Sequence, residues 1–182
     1  MAHQPITPGE DSSLPRLVRT THSEDGTSIF ASDDRLTPFM PFGPQAGAFT
    51  IFDIRQSVPV NNTEAIPAFS NTLPRCPPQG TIFCLTRIQP GAGSPMHRTE
   101  SIDYCVVISG EIVLALDGGD EKTIRAGEFI VQQGVNHMWL NRTDVPCQIL
   151  CVMLAADKIV LEDGIELEET VFKTEKPGGP LN

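Results

Sequence analysis

Histidine and carboxylate side chains stand in a stretch that otherwise reads as half-buried strand. The segment PGAGSPMHRTESIDYCVVISGE opens on the Pro90-Gly91 turn and closes on the Ser109-Gly110 turn, with His97, Glu100 and Asp103 between. Burying a histidine or a carboxylate costs several kcal/mol unless the group is hydrogen-bonded, paired or bound to a metal. Side chains alternate along a strand, and this decides which of these residues share a face. His97 and Thr99 take one face, with Arg98 and Glu100 on the other and expected in solvent. Asp103, Cys105 and Val107 line up together, opposite Tyr104, Val106 and Ile108. Further on, His137, Trp139 and Asn141 share a face. His3 and His22 lie outside this region and read as surface residues.

The elements that must hold these residues are short and β-type. Runs of Val, Ile, Leu, Phe and Thr recur between turn signals, with 15 Gly and 16 Pro along 182 residues. No helical apolar period of useful length is present, which favours an all-β sandwich or barrel. Residues 1–14 read as a disordered tail. Residues 16–22 and 27–32 form an expected hairpin around SEDG, and residues 47–57 a strand. Residues 58–80 hold five prolines, which argues for an arm or lid rather than a central strand. From Gly80 the pattern tightens: strands are expected over 81–88, 95–99, 103–109, 111–116, within 122–134, and over 136–143 and 147–155. A last hairpin is expected in 158–173, before a tail. The tidy unit is 80–156, with 15–79 and 157–182 as additions.

The chain carries 13 Lys and Arg against 23 Asp and Glu, a formal net charge of −10. Such a surface repels phosphate backbones and anionic lipid, so neither nucleic acid nor membrane is an expected partner. No apolar stretch approaches a membrane span, and the N-terminus has no apolar core of a secretory signal. Five cysteines, none in a C-x-x-C arrangement, read as reduced buried thiols of a cytoplasmic protein. Cys105 reads as a small buried filler, Tyr104 as packing on the outer face, and Arg87 as an exposed ion-pair residue.

Two stretches resemble the paired motifs of the cupin superfamily. The first motif is commonly written G-x5-H-x-H-x3,4-E-x6-G. Here Gly91 leads to His97, Thr99 stands at the second histidine position, Asp103 at the glutamate position and Gly110 at the closing glycine. The second motif, G-x5-P-x-G-x2-H-x3-N, resembles GEFIVQQGVNHMWLN, in which Gly127, Gly134, His137 and Asn141 fit. The proline is absent, with Gln nearby, and the glycine spacing is one residue short. The wording HRTESIDY also resembles a set of small, mostly uncharacterised fungal and bacterial cupins. The resemblance implies an all-β cupin fold, a jelly-roll barrel here extended by N-terminal strands. It also implies that His97, Asp103 and His137 converge as ligands of a divalent metal, zinc or iron. Thr99 would leave the shell short of an imidazole, because a neutral hydroxyl is a poor substitute. Thr99, Cys105, Val107 and Trp139 are the expected pocket wall.

A His/Asp/His cluster in an apolar barrel supports two chemistries. With a metal it is a Lewis acid that stabilises developing negative charge. Without one, a histidine tuned by Asp103 is a general acid or base. The expected function is a small-molecule lyase or isomerase (decarboxylation, dehydration or cyclisation of an organic acid or polyketide-like compound), by analogy with accessory proteins of fungal secondary metabolism. A non-haem metal dioxygenase and a non-catalytic small-ligand-binding cupin are the alternatives. A DNA-binding regulator is disfavoured by the lack of a helix-turn-helix pattern or basic stripe. A homodimer is expected, with the N-terminal strand or proline-rich arm lying on the partner.

Overall fold

The structure is a computed structural model that describes residues 13–66 and 72–170. The expected N-terminal tail, apart from its last two residues, and the C-terminal tail lie outside the described residues, as does part of the proline-rich arm.

Every regular element among the described residues is a strand. Twelve are present: β1 (Arg16–His22), β2 (Ser28–Arg35), β3 (Gly47–Arg55), β4 (Thr81–Ile88), β5 (Ser101–Ser109), β6 (Glu111–Leu116), β7 (Glu121–Arg125), β8 (Phe129–Gln133), β9 (His137–Leu140), β10 (Cys147–Ala155), β11 (Ile159–Val160) and β12 (Glu166–Leu167). The chain divides at Pro38 into two compact units. The first holds the β1–β2 hairpin, whose turn is closed by Ser23 and Asp25 bonding to Thr27. β2 runs to Arg35, three residues past the expected end, because Arg16–Arg19 pair with Ser32–Arg35 beyond a register shift.

The second unit holds a five-stranded antiparallel sheet, order β3-β4-β10-β5-β8, and a three-stranded sheet, order β7-β6-β9. One apolar cluster draws on both: Ile88, Cys105, Val107, Ile130, Cys147 and Ile149 from the larger sheet, Ile112 and Trp139 from the smaller. A second cluster, Ile51, Ile82, Cys84 and Met153, belongs to the larger sheet alone. Cys151 lies on the inner-facing row of β10, packs against both clusters and keeps part of its surface exposed.

The glycines that carry the motif resemblance are needed for their backbone. Gly91, Gly110, Gly127 and Gly134 all have positive φ, between 58° and 86°. That region is open to glycine and strained for other residues. At Gly110, between β5 and β6, a Cβ would also stand 2.7 Å from the Pro146 carbonyl oxygen.

Two expected elements are smaller than the sequence suggests. Residues 95–99 form no strand: only His97 pairs, in an isolated antiparallel bridge with His137. Pro95, which has no N–H to give to a ladder, stands two residues before it. The C-terminal hairpin is reduced to two residues per strand around a turn at Leu161–Ile165.

Candidate functional site

The His97–His137 bridge sets the geometry of the site. His97 N–H donates to the His137 carbonyl and His137 N–H to the His97 carbonyl, both at 2.8 Å. Residues exchanging both bonds across an antiparallel pair present their side chains on one face. The imidazole centroids are accordingly 4.2 Å apart, with the rings tilted by 47°. Trp139, two residues on from His137 and on the same face, meets its ring edge-on at 5.5 Å.

Each histidine is anchored by its own backbone. A carbonyl can only accept, so Nδ1–H of His137 donates to Val135 O at 3.0 Å, and Nδ1–H of His97 to Pro95 O at 2.9 Å. Both imidazoles are therefore the Nδ1–H tautomer, with Nε2 as an acceptor. Burial lowers the pKa of both. For His137 it is joined by repulsion from His97, and the value falls to about 4. Both rings are neutral at neutral pH.

Asp103 is reached through register. Across the inner face of the larger sheet it stands level with Met153 of β10 and with Gln132 of β8. Ser101 Oγ donates to its Oδ1 at 2.6 Å, Gln132 Nε2 to its Oδ2 at 3.1 Å, and the Thr99 hydroxyl bonds to the same carboxyl group. Burial nevertheless pushes the Asp103 pKa up, against the lowering by these three bonds.

The sequence reading pairs Asp103 with a histidine, whereas the structure places Gln132 between them. Its amide nitrogen is 3.1 Å from Asp103 Oδ2 and 3.0 Å from His137 Nε2, and the two amide hydrogens serve these two acceptors. Gln132 is buried, and its Oε1 finds no hydrogen-bond partner among the described residues. The sequence did carry a signal for it: in FIVQQ, alternation puts Gln132 on the inward row with Ile130, a polar residue at a core position.

His97, Asp103, His137 and Thr99 are thus brought to one end of the barrel. Cys105, Val107 and Trp139 continue the inner wall, with Val107 and Trp139 already inside the apolar cluster. Asn141 is a brace: its amide nitrogen donates to Ile88 O and Val145 O, and its oxygen accepts from Thr143. Arg98 and Glu100 are half-buried rather than solvated, since the C-terminal segment runs beside them and Thr170 bonds the Arg98 backbone in both directions. Beneath that segment lies a cavity of about 260 Å³ bounded by Thr99, Ser101, Gln133, Gly134, Lys158 and Ile159. Its inner wall shares Thr99 and Ser101 with the Asp103 network.

The expected zinc or iron shell does not close on this arrangement. Among the described residues no group of three or more His, Cys, Asp or Glu side chains is placed to hold a metal ion. The Gln132 amide stands between the carboxylate and the His137 nitrogen that would have to share one ion, and Thr99, Ser101 and Gln132 already occupy the carboxyl group. What remains is a pair of neutral, backbone-anchored imidazoles over a buried, hydrogen-bonded carboxyl group. That arrangement can accept and return protons.

Two antiparallel sheets enclosing an apolar core, with polar residues at one end, define a small β-barrel of the jelly-roll type. The Cupin domain family matches residues 84–153. The Phomopsin biosynthesis cluster protein C' of Diaporthe leptostromiformis is 35% identical over 135 residues, covering 71% of each chain. The cupin-domain-containing oxidoreductase fogC of Aspergillus ruber is 34% identical over 154 residues, 80% of this chain and 76% of the relative. The cupin-domain-containing oxidoreductase virC of Hypocrea virens is 30% identical over 158 residues, 82% and 81%. The chain belongs to the cupin superfamily.

Proposed function

We propose that this protein is an enzyme of secondary metabolism that moves a proton on a small, oxygen-rich organic molecule, giving isomerisation, dehydration or decarboxylation without net oxidation. One observation carries the reading. His97 and His137 stand 4.2 Å apart, and each is fixed through Nδ1–H to its own backbone so that Nε2 is the basic atom. His97 is the less buried of the two and is the proton acceptor in this reading. Its neutral Nε2 takes a proton from carbon beside a carbonyl, giving imidazolium and an enolate. The same proton is returned to another carbon in an isomerisation, or to a departing hydroxide in a dehydration. The Asp103 carboxylate stabilises the imidazolium electrostatically, while Gln132 holds His137 and Asp103 in place. The Trp139 ring and the Val107 wall keep water out, which strengthens each of these interactions. Relatives in biosynthesis clusters support the metabolic setting.

Several relatives named as cupin-domain-containing oxidoreductases favour a second reading, a net oxidation. One experiment separates the two. A panel of enolisable ketones, hydroxy acids and aromatic carboxylic acids is incubated with purified protein under air and under nitrogen, and products are followed by mass spectrometry. The proposal expects a product of unchanged oxidation level in both atmospheres, lost in His97→Ala. Turnover that requires oxygen, or that adds oxygen or removes hydrogen, overturns it in favour of the oxidoreductase reading. Histidine-dependent binding without turnover of any compound overturns it in favour of a ligand-binding cupin.

A further inference from the structure

Three thiols stand in one row across the inner face of the larger sheet, and the proton chemistry uses none of them. Cys151 of β10 is directly opposite Cys84 of β4 on one side and Cys105 of β5 on the other. Cys105 Sγ and Cys151 Sγ are 2.9 Å apart. Residues directly opposed on antiparallel strands have Cα separations of about 4.5–5.5 Å, inside the range a disulfide spans. Cys105 and Cys84 are buried, whereas Cys151 keeps part of its surface exposed. A small oxidant therefore meets Cys151 first, with Cys105 already in contact behind it.

We propose that Cys105 and Cys151 are a redox-active pair that closes to a disulfide inside the barrel when a peroxide enters. Cys151 sulfur attacks one peroxide oxygen; the O–O bond breaks, water leaves, and a sulfenic acid remains. Cys105 sulfur then attacks Cys151 sulfur, and the hydroxyl leaves as water with the Cys105 proton. The two thiols lose two electrons and two protons, and hydrogen peroxide becomes two waters. The pair reacts slowly at neutral pH and faster in alkali, because the hydrogen bond shared with Cys105 and then burial hold the Cys151 pKa above its ordinary value. A thiol reductant reverses the step. The bond forms two residues along β5 from Asp103, so the closed pair alters the wall next to the proton-transfer site.

The test uses the intact protein treated with hydrogen peroxide, then alkylated under denaturing conditions and mapped by peptide mass spectrometry. Five thiols are present in the sequence. The expected result is loss of two alkylatable thiols, a Cys105–Cys151 linked peptide, full recovery with dithiothreitol, and retention of the link in Cys84→Ser. Five alkylatable thiols after treatment overturn the proposal. So does a Cys84–Cys151 link in place of the Cys105 one, or stepwise over-oxidation of Cys151 with no cross-link. Because the wild-type map alone decides among these outcomes, the test survives a Cys151→Ser variant that fails to fold.

Discussion

The inner face of β5 passes through two environments of equal burial and opposite chemistry. At one end Val107, with Ile149 opposite it and Ile112 and Cys147 nearby in the same cluster, is 0–1% exposed and wholly apolar. At the other end Ser101, Asp103, Gln132 and His137 are 1–4% exposed, and every one of them is polar. Buried polar groups are tolerated only with hydrogen-bond partners, and those on this wall pair mainly with one another. The apolar end holds the two sheets together through packing and the hydrophobic effect. The polar end spends part of that stability on groups able to exchange protons. The two ends are separable: damage to the apolar end should be read mainly as stability, damage to the polar end mainly as rate.

The largest expected effect follows from the polar end. His97→Ala should lower turnover by about two to four orders of magnitude, the usual worth of a positioned general base, with the urea midpoint little changed. His137→Ala should cost a similar factor, and the double variant little more, because residues acting as one unit do not add. Steady-state kinetics beside urea titration checks both.

The apolar end should respond the other way. Ile149→Ala should destabilise by about 2–5 kcal/mol, the transfer free energy of the lost methyl and methylene groups plus the cavity they leave. The rate per folded molecule should hold within a few fold. Equal loss of rate in this variant and in His97→Ala would erase the distinction between the ends.

How far this division is legible in the sequence depends on the range of the interaction. Gly91, Gly110, Gly127 and Gly134 mark turns within a few residues, and all four adopt the backbone only glycine takes easily. The alternation His137-x-Trp139 and Asp103-x-Cys105-x-Val107 gives the inner face directly. The link between Asp103 and His137 is not local: it depends on the β5–β8 register that sets Gln132 opposite Asp103, and no short-range pattern encodes that pairing. The cysteine row is hidden for the same reason, since 84, 105 and 151 meet only through the registers of three strands. The expected strand at 95–99 fails because one bridge with His137 is all the local geometry supports.

Acid should expose the polar end's cost. His137 titrates at about 4 in the folded protein against 6.5 ordinarily. Its contribution is therefore complete above the unfolded value and is lost as pH falls from about 6.5 towards 4, a change on the order of 3 kcal/mol. His97, also lowered, acts in the same sense. Asp103, raised by burial, acts in the opposite sense, since its protonation at acid pH relieves the burial of charge and offsets part of the loss. Urea midpoints between pH 7 and 4.5 should fall more steeply for wild type than for His137→Asn. Parallel slopes would place the acid sensitivity elsewhere.

A smaller effect is expected at Gln132. Gln132→Met keeps the volume and removes the donor shared by Asp103 and His137, leaving two buried acceptors each short of a partner. The cost should be about 1–3 kcal/mol, with His137 titrating at a higher pH once its Nε2 is released from the amide. Unchanged stability together with unchanged His137 titration would mean that Gln132 does not bridge the two.

The central claim is that His97 and His137 are neutral at neutral pH, each with its proton on Nδ1 and its basic lone pair on Nε2. Long-range proton–nitrogen correlation spectra of the imidazole side chains test this without any substrate. The account predicts, at pH 7, Nδ1 shifts of a protonated nitrogen and Nε2 shifts of an acceptor nitrogen for both residues, with His137 holding that pattern until the pH approaches about 4. An imidazolium pattern at pH 7, or protons on Nε2 with Nδ1 bare, would contradict it.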